Sequence, residues 1–247
     1  MTCGWLDLPL AMLLDGEKGR LRVPVPSYLI VHPKGRALFD SGLGTACQSD
    51  AEAYMGPLTK IMQVEFRPGE EVSARLERIE TGVGEVDFVV NSHLHFDHAG
   101  GNAQIPDARL VVQRREWEAA HREEGIESGG YKPVDYDCGH DLLLTDGEHD
   151  LFGDGSAVLI PTYGHTPGHQ SARLRLEGGE VVLTGDACYL SRTLRDLHLP
   201  TAAVADRDAM LRSLRTLREL QARGARIFYG HDPEFWQSVP QAPAKIA

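Results

Sequence analysis

Four side chains able to bind a metal ion, His93, His95, Asp97 and His98, share the single run Ser92-His93-Leu94-His95-Phe96-Asp97-His98-Ala99-Gly100-Gly101-Asn102. Imidazole nitrogen and carboxylate oxygen together suit zinc or another borderline divalent ion. Gly100 and Gly101 let the backbone close tightly around such a site. The apolar run Val86-Asp87-Phe88-Val89-Val90 just before it reads as a buried strand whose end delivers the cluster. A polar loop that happens to be rich in histidine is the bland alternative, and it leaves this concentration of ligand types in one turn without a cause.

Three later segments carry a potential ligand just beyond a strand in the same way: Tyr163-Gly164-His165-Thr166-Pro167-Gly168-His169, Thr184-Gly185-Asp186 and Tyr229-Gly230-His231-Asp232. The glycine before His165, Asp186 and His231 removes a side chain where backbone must approach the site closely. A lone Gly-His is usually a turn; all three with the first cluster point to a two-metal centre. Asp40, at a strand end before Ser41-Gly42, reads either as a carboxylate that orients a histidine ligand or as an Asx-type turn residue. His32, His121, His140, His149 and His198 read as solvated or structural.

The elements that must position these residues follow from hydrophobic patterning. Residues 27–31 and 36–40 read as a hairpin turning at Pro33-Lys34-Gly35, and 42–68 as a weakly periodic stretch that is a lid or an association surface. A helix is expected over 70–79, a strand over 109–112, a helix over 114–123 and a polar, Gly-rich stretch through Gly139. Strands follow at 141–144, 157–161, 171–176 and 181–183. The last helix carries Met210, Leu211, Leu214, Leu217 and Leu220 and stops at Gly224, before a final strand at 226–229. No internal repeat or low-complexity linker divides the chain, so residues 1–247 read as one α/β domain.

Charge narrows the partners. With 36 acidic against 25 basic side chains the formal charge is -11, which repels phosphate backbones and anionic membrane surfaces, so neither nucleic acid nor membrane is expected. Two divalent cations would offset about four units of that charge. The apolar stretch Leu8 to Leu14 is broken by Pro9, ends at Asp15 and follows no basic region, so it reads as neither signal peptide nor membrane span. Cys3, Cys47, Cys138 and Cys188 form no Cys-x-x-Cys pair, which fits a reducing cytoplasm.

The order His-x-His-x-Asp-His, then a histidine, an aspartate and a histidine, resembles the metallo-β-lactamase superfamily over nearly the whole chain. The resemblance implies an αββα sandwich of two mixed β-sheets flanked by helices. It implies that His93, His95 and His165 hold one metal, that Asp97, His98 and His231 hold the other, and that Asp186 bridges them. His95 stands where oxygen-reducing diiron relatives carry a carboxylate, which favours hydrolysis. His169 then stands behind the ligands, and Cys188, with no histidine left to activate it, reads as a small buried hydrophobe.

Within the superfamily the chain is similar to the N-acyl homoserine lactonases that quench quorum sensing. The likeness rests on Val25-Pro26-Ser27-Tyr28-Leu29, on 92–102, on His165-Thr166-Pro167-Gly168-His169-Gln170-Ser171 and on Asp186-Ala187-Cys188-Tyr189, with Arg114 and His121-Arg122-Glu123-Glu124 as a further match. In those lactonases a tyrosine three residues after the bridging aspartate points into the site, the position of Tyr189.

The implied reaction is lactone ring opening by a hydroxide that bridges two zinc ions, its pKa lowered from 15.7 to about 7. Cobalt, manganese or iron would fit the same ligands. Tyr189 would donate a hydrogen bond to the developing oxyanion, worth about 2.7 to 4 kcal/mol in comparable sites. Asp97 would return the proton to the ring alkoxide, while Phe96 and Met12 would line the substrate pocket.

Rival hydrolases fit less well. A glyoxalase II type thioesterase calls for a basic patch near the C-terminus, where residues 240–247 offer only Lys245, and a β-lactamase normally carries an export signal. A non-catalytic metal-binding protein is disfavoured by the complete ligand set. Apolar residues between Tyr54 and Phe66 suit either a homodimer contact or the roof of a monomer's pocket.

Overall fold

The computed structural model describes residues 1–127, 130–201 and 204–246; Ser128 and Gly129 of the expected Gly-rich stretch lie outside them. In chain order the strands are β1 (Thr2–Pro9), β2 (Arg20–Pro26), β3 (Tyr28–His32), β4 (Gly35–Phe39), β5 (Gln63–Glu65), β6 (Phe88–Val90), β7 (Arg109–Gln113), β8 (Leu142–Thr145), β9 (His149–Asp150), β10 (Ala157–Pro161), β11 (Gln170–Leu176), β12 (Gly179–Leu183) and β13 (Arg226–Phe228). They form two five-stranded mixed sheets, β3-β4-β6-β7-β8 and β13-β12-β11-β10-β9, and a three-stranded sheet β2-β1-β5.

Side-chain alternation explains the layers. Ala37, Phe39, Val90 and Val111 of the first sheet meet Leu159, Ala172, Val181 and Leu183 of the second in one apolar layer. Their strand neighbours Leu38, Val89, Leu110 and Val112 point the other way, onto Val72, Leu76, Leu94 and Ile105. On the far side Val158, Ile160, Val182 and Ile227 pack against Met210, Leu214, Leu217 and Leu220 of the helix Arg207–Ala222. Strands buried on both faces read as continuous apolar runs, which is why they were visible in the sequence. The expected αββα sandwich is thus the observed one.

Strand direction gathers the chemistry. β4, β6, β7 and β8 are parallel, so the segments after β4 and β6 leave at one edge. In the second sheet β10 and β12 are each antiparallel to β11, and β13 is parallel to β12, so all three also end together.

The structure departs from the sequence expectation at the N-terminus. Residues 1–26, to which the sequence patterning assigns no element, form β1 and β2, paired from Pro9 with Arg20 to Thr2 with Pro26. Pro24 and Pro26 argue against strand, yet β2 is an edge strand, where a missing N–H leaves no gap in a ladder on its outer side, and Pro9 is the last residue of β1, beyond the residues that pair with β5. The stretch 42–68 contains the helix Ala46–Met55 and β5, and it buries Met55, Met62 and Phe66 against the chain's own core. The helix ending before Gly224 is not the last one: Pro233–Ser238 follows, capped by Asp232, whose carboxylate accepts from Glu234 N and Phe235 N. The expected helix over 114–123 ends at Ala120, and a separate helix covers Glu123–Glu127. Among the described residues no helix is long and apolar enough to cross a membrane.

Candidate metal centre

The turn after β6 brings His93 and His95 to the strand-end edge, and the short helix Phe96–Ala99 adds Asp97 and His98. His165 follows β10, Asp186 follows β12 and His231 follows β13. A Cβ on Gly164 would lie 2.2 Å from the backbone nitrogen of Met210, and one on Gly230 would lie 2.5 Å from the Gly185 carbonyl oxygen. A side chain at Gly164 would therefore push the His165 loop off the helix Arg207–Ala222, and one at Gly230 would push the His231 and Asp186 loops apart.

All seven expected ligands converge. His165 Nε2 stands 3.1 Å from His93 Nε2 and 3.0 Å from His95 Nδ1. Ligand nitrogens on one tetrahedral zinc, with bonds of about 2.0–2.1 Å, stand about 3.3 Å apart. A second group joins Asp97, His98 and His231: the Nε2 atoms of His98 and His231 each lie 3.6 Å from Asp97 Oδ2. Asp186 faces both. Its Oδ2 is 3.4 Å from His165 Nε2 and 3.8 Å from His93 Nε2, and its Oδ1 is 3.2 Å from His98 Nε2 and 3.1 Å from His231 Nε2.

The surroundings fix which ring nitrogens face inward. Asp40 Oδ2 lies 2.8 Å from His98 Nδ1, and the Pro24 carbonyl lies 2.8 Å from His231 Nδ1, so both Nδ1 atoms carry the proton and both Nε2 lone pairs point to the centre. Of the two readings of Asp40, the orienting carboxylate is the observed one; it also accepts from Ser92 N at 2.6 Å and Ser92 Oγ at 2.8 Å. His169, behind the ligands as expected, accepts the Asp186 backbone N–H at 3.0 Å and contacts Thr162 Oγ1 through Nδ1.

Burial, reinforced by neighbouring imidazoles, holds His93 and His95 well below the usual histidine pKa. Burial works in the same direction on His98 and His231, but Asp186 and Asp97 overcome it and raise both. Asp186 is itself buried, and the histidines around it drive its pKa well below the carboxylate range. His98 Nε2 and Asp186 Oδ1 are buried 3.2 Å apart, yet among the described residues neither makes a hydrogen bond of good geometry. Orphaned, converging donor atoms of this kind are costly unless a cation completes them, so the residues present fit divalent metal ions.

Tyr189 is 3% exposed and its hydroxyl lies 2.8 Å from His165 Nδ1, with its ring stacked on His231 at 6.0 Å. Phe96 is buried in the apolar cluster that also holds Tyr189, Met55 and Leu199, and Met12, half-buried, packs against it. Burial raises the Cys188 thiol well above its ordinary pKa, which keeps it an inert apolar neighbour. Two contributors carry no sequence signal of their own. Pro24 acts through its carbonyl, which any residue would supply. Glu116, fully buried beneath the His93 and His165 loops, looks in sequence like an ordinary acid in a helix's first turn.

Two mixed sheets face to face, with histidines and aspartates gathered at their strand ends, define a metallohydrolase scaffold. The metallo-beta-lactamase superfamily is matched over residues 20–231. The N-acyl homoserine lactonase AttM of Azorhizobium caulinodans is 34% identical over 236 residues, covering 93% of this chain and 89% of that protein. The N-acyl homoserine lactonase AiiA of Bacillus thuringiensis subsp. kurstaki is 32% identical over 233 residues, covering 92% and 88%. A solved N-acyl homoserine lactone hydrolase, with the product N-hexanoyl-L-homoserine bound at its catalytic metal centre, superposes with a TM-score of 0.89 at 28% identity, over 100% of this chain and 97% of that one. The chain belongs to the metallo-β-lactamase superfamily and, within it, to the N-acyl homoserine lactonase family.

Proposed function

We propose that this protein opens the lactone ring of N-acyl homoserine lactones by hydrolysis, with two divalent ions, zinc foremost, as its cofactors. His93, His95 and His165 would hold one ion, Asp97, His98 and His231 the other, and Asp186 both. The observation that carries this reading is the Asp186 carboxylate, one oxygen turned to each group of ligands. Such ions supply Lewis acidity toward a carbonyl oxygen and, by lowering the pKa of water, a nucleophile at neutral pH.

The chain's own residues do the rest. With His165 engaged through Nε2, its proton sits on Nδ1 and is donated to Tyr189 Oη, which frees the phenolic O–H to donate to the lactone carbonyl oxygen as charge develops there. Burial raises the Tyr189 pKa well above its ordinary value, so the donor keeps its proton at neutral pH. Asp97, whose side chain retains 10% exposure, would take the proton given up by the attacking water and deliver it to the departing ring alkoxide. The apolar cluster around Phe96 and Met12 offers a wall for the acyl chain.

Replacing Asp186 by Asn takes away one of the two facing oxygens. Metal content and lactone hydrolysis are expected to fall together. Full activity in that variant would remove Asp186 from the site.

A further inference from the structure

We infer that Glu116 is the positioning residue of the three-histidine half of the centre, a buried carboxylate that ties the loops carrying His93, His95 and His165 to one point. The inference rests on reading those histidines as ligands of one ion. Glu116 is fully buried at the start of the helix Arg114–Ala120. Its Oε1 accepts from Leu94 N at 3.0 Å, the peptide between His93 and His95, and from the Tyr131 hydroxyl at 2.9 Å. Its Oε2 accepts from Gly168 N at 3.0 Å, in the loop that begins at His165.

Tyr131 extends the tie to His95. The two residues pair as an isolated antiparallel bridge, with ring centroids 4.9 Å apart. Gly168 shows how tightly the His165 loop is seated: a Cβ there would lie 2.1 Å from the backbone nitrogen of Glu116. The other half of the centre is held differently, since Asp40 and the Pro24 carbonyl grip the rings of His98 and His231 directly. The His93 and His95 turn and the His165 loop come from different sheets, and one carboxylate sets their separation.

The chemistry requires a carboxylate. Both backbone partners are donors, and an ionised carboxylate offers only acceptors. Glutamine has nearly the same shape, but its NH2 must face either Leu94 N–H or Gly168 N–H. One tie therefore breaks whichever way the amide lies.

The test is metal binding by the full chain, with wild type, Glu116→Gln and Tyr131→Phe titrated with Co²⁺ against a competing chelator, and imidazole resonances followed by paramagnetic NMR. Loss of an outer partner of a metal-ligating group typically weakens affinity about 10- to 100-fold. For Glu116→Gln that loss is expected at one of two sites, with the resonances of three histidines perturbed and those of His98 and His231 kept. Tyr131→Phe should show a smaller loss at the same site. General loosening of the fold would instead weaken both sites together.

Two full-affinity sites in Glu116→Gln would overturn the inference, as would equal weakening of both. Should Glu116→Gln not fold, unchanged affinity in Tyr131→Phe overturns it. A wild type that binds no Co²⁺ would mean that the metal reading itself, not the clamp, is wrong.

Discussion

Asp40→Asn separates the electrostatic from the steric part of the design. Asp40 is 3% exposed and sits at φ +57°, a left-handed conformation that Asn adopts as readily as Asp, so the exchange adds no backbone strain. In the native site Oδ2 receives the His98 Nδ1 proton at 2.8 Å, and Ser92 donates to both oxygens. An Asn that keeps its oxygen toward Ser92 N turns its NH2 toward His98. The imidazole then moves its proton to Nε2, the atom that faces Asp186 at 3.2 Å, and loses the lone pair that points to the centre.

A loss of about 10- to 100-fold in affinity is expected at the Asp97, His98 and His231 site, equal to about 1.4–2.8 kcal/mol. The three-histidine site should be little changed. Competition with a chromophoric chelator reads both constants. Two unchanged constants would refute the argument that Asp40 sets the His98 tautomer.

Three further outcomes follow from the geometry. Tyr189→Phe should lower kcat by about 10²–10³ with metal content intact; loss of metal instead would make Tyr189 only a partner of His165. Burial raises the Asp135 pKa to about 7 despite the Tyr54 hydroxyl bound to it at 2.5 Å. Its protonated form is thus favoured in the fold, and its contribution to stability falls as pH rises from about 4 to 7. Asp135→Asn should therefore gain stability over wild type across that window, by up to about 4 kcal/mol at pH 8, when urea unfolding is compared at equal metal loading; a gap independent of pH would contradict the burial argument. Leu214→Ala, at a fully buried position between helix and sheet, should cost about 2–5 kcal/mol in the same assay without changing metal stoichiometry.

Much of the candidate site was legible because the capacity to bind a metal is a side-chain property. His93 to His98, His165, Asp186 and His231 advertise themselves by type and by their place after apolar runs. The sandwich was legible for a related reason: strands such as Leu110-Val111-Val112 bury both faces and cannot be polar on either. What escaped was held by backbone or by context. Pro24 and Pro26 hid β2, because a sequence does not say which strand lies at an edge, and Pro9 hid the end of β1. The Pro24 carbonyl that orients His231 leaves no trace in residue type. Glu116 is one acid among 36 until the His93 and His165 loops close over it. The helix Pro233–Ser238 did have a signal, an Asp N-cap followed by Pro at the first helical position.

The most direct measurement is proton release from a long-chain N-acyl homoserine lactone by the zinc-loaded protein, beside the Asp186→Asn variant. A kcat/KM on the order of 10⁴ M⁻¹s⁻¹ or higher is expected, falling sharply in the variant. A rate no different from the variant's would contradict lactone hydrolysis at this centre and move the substrate to another ester or thioester.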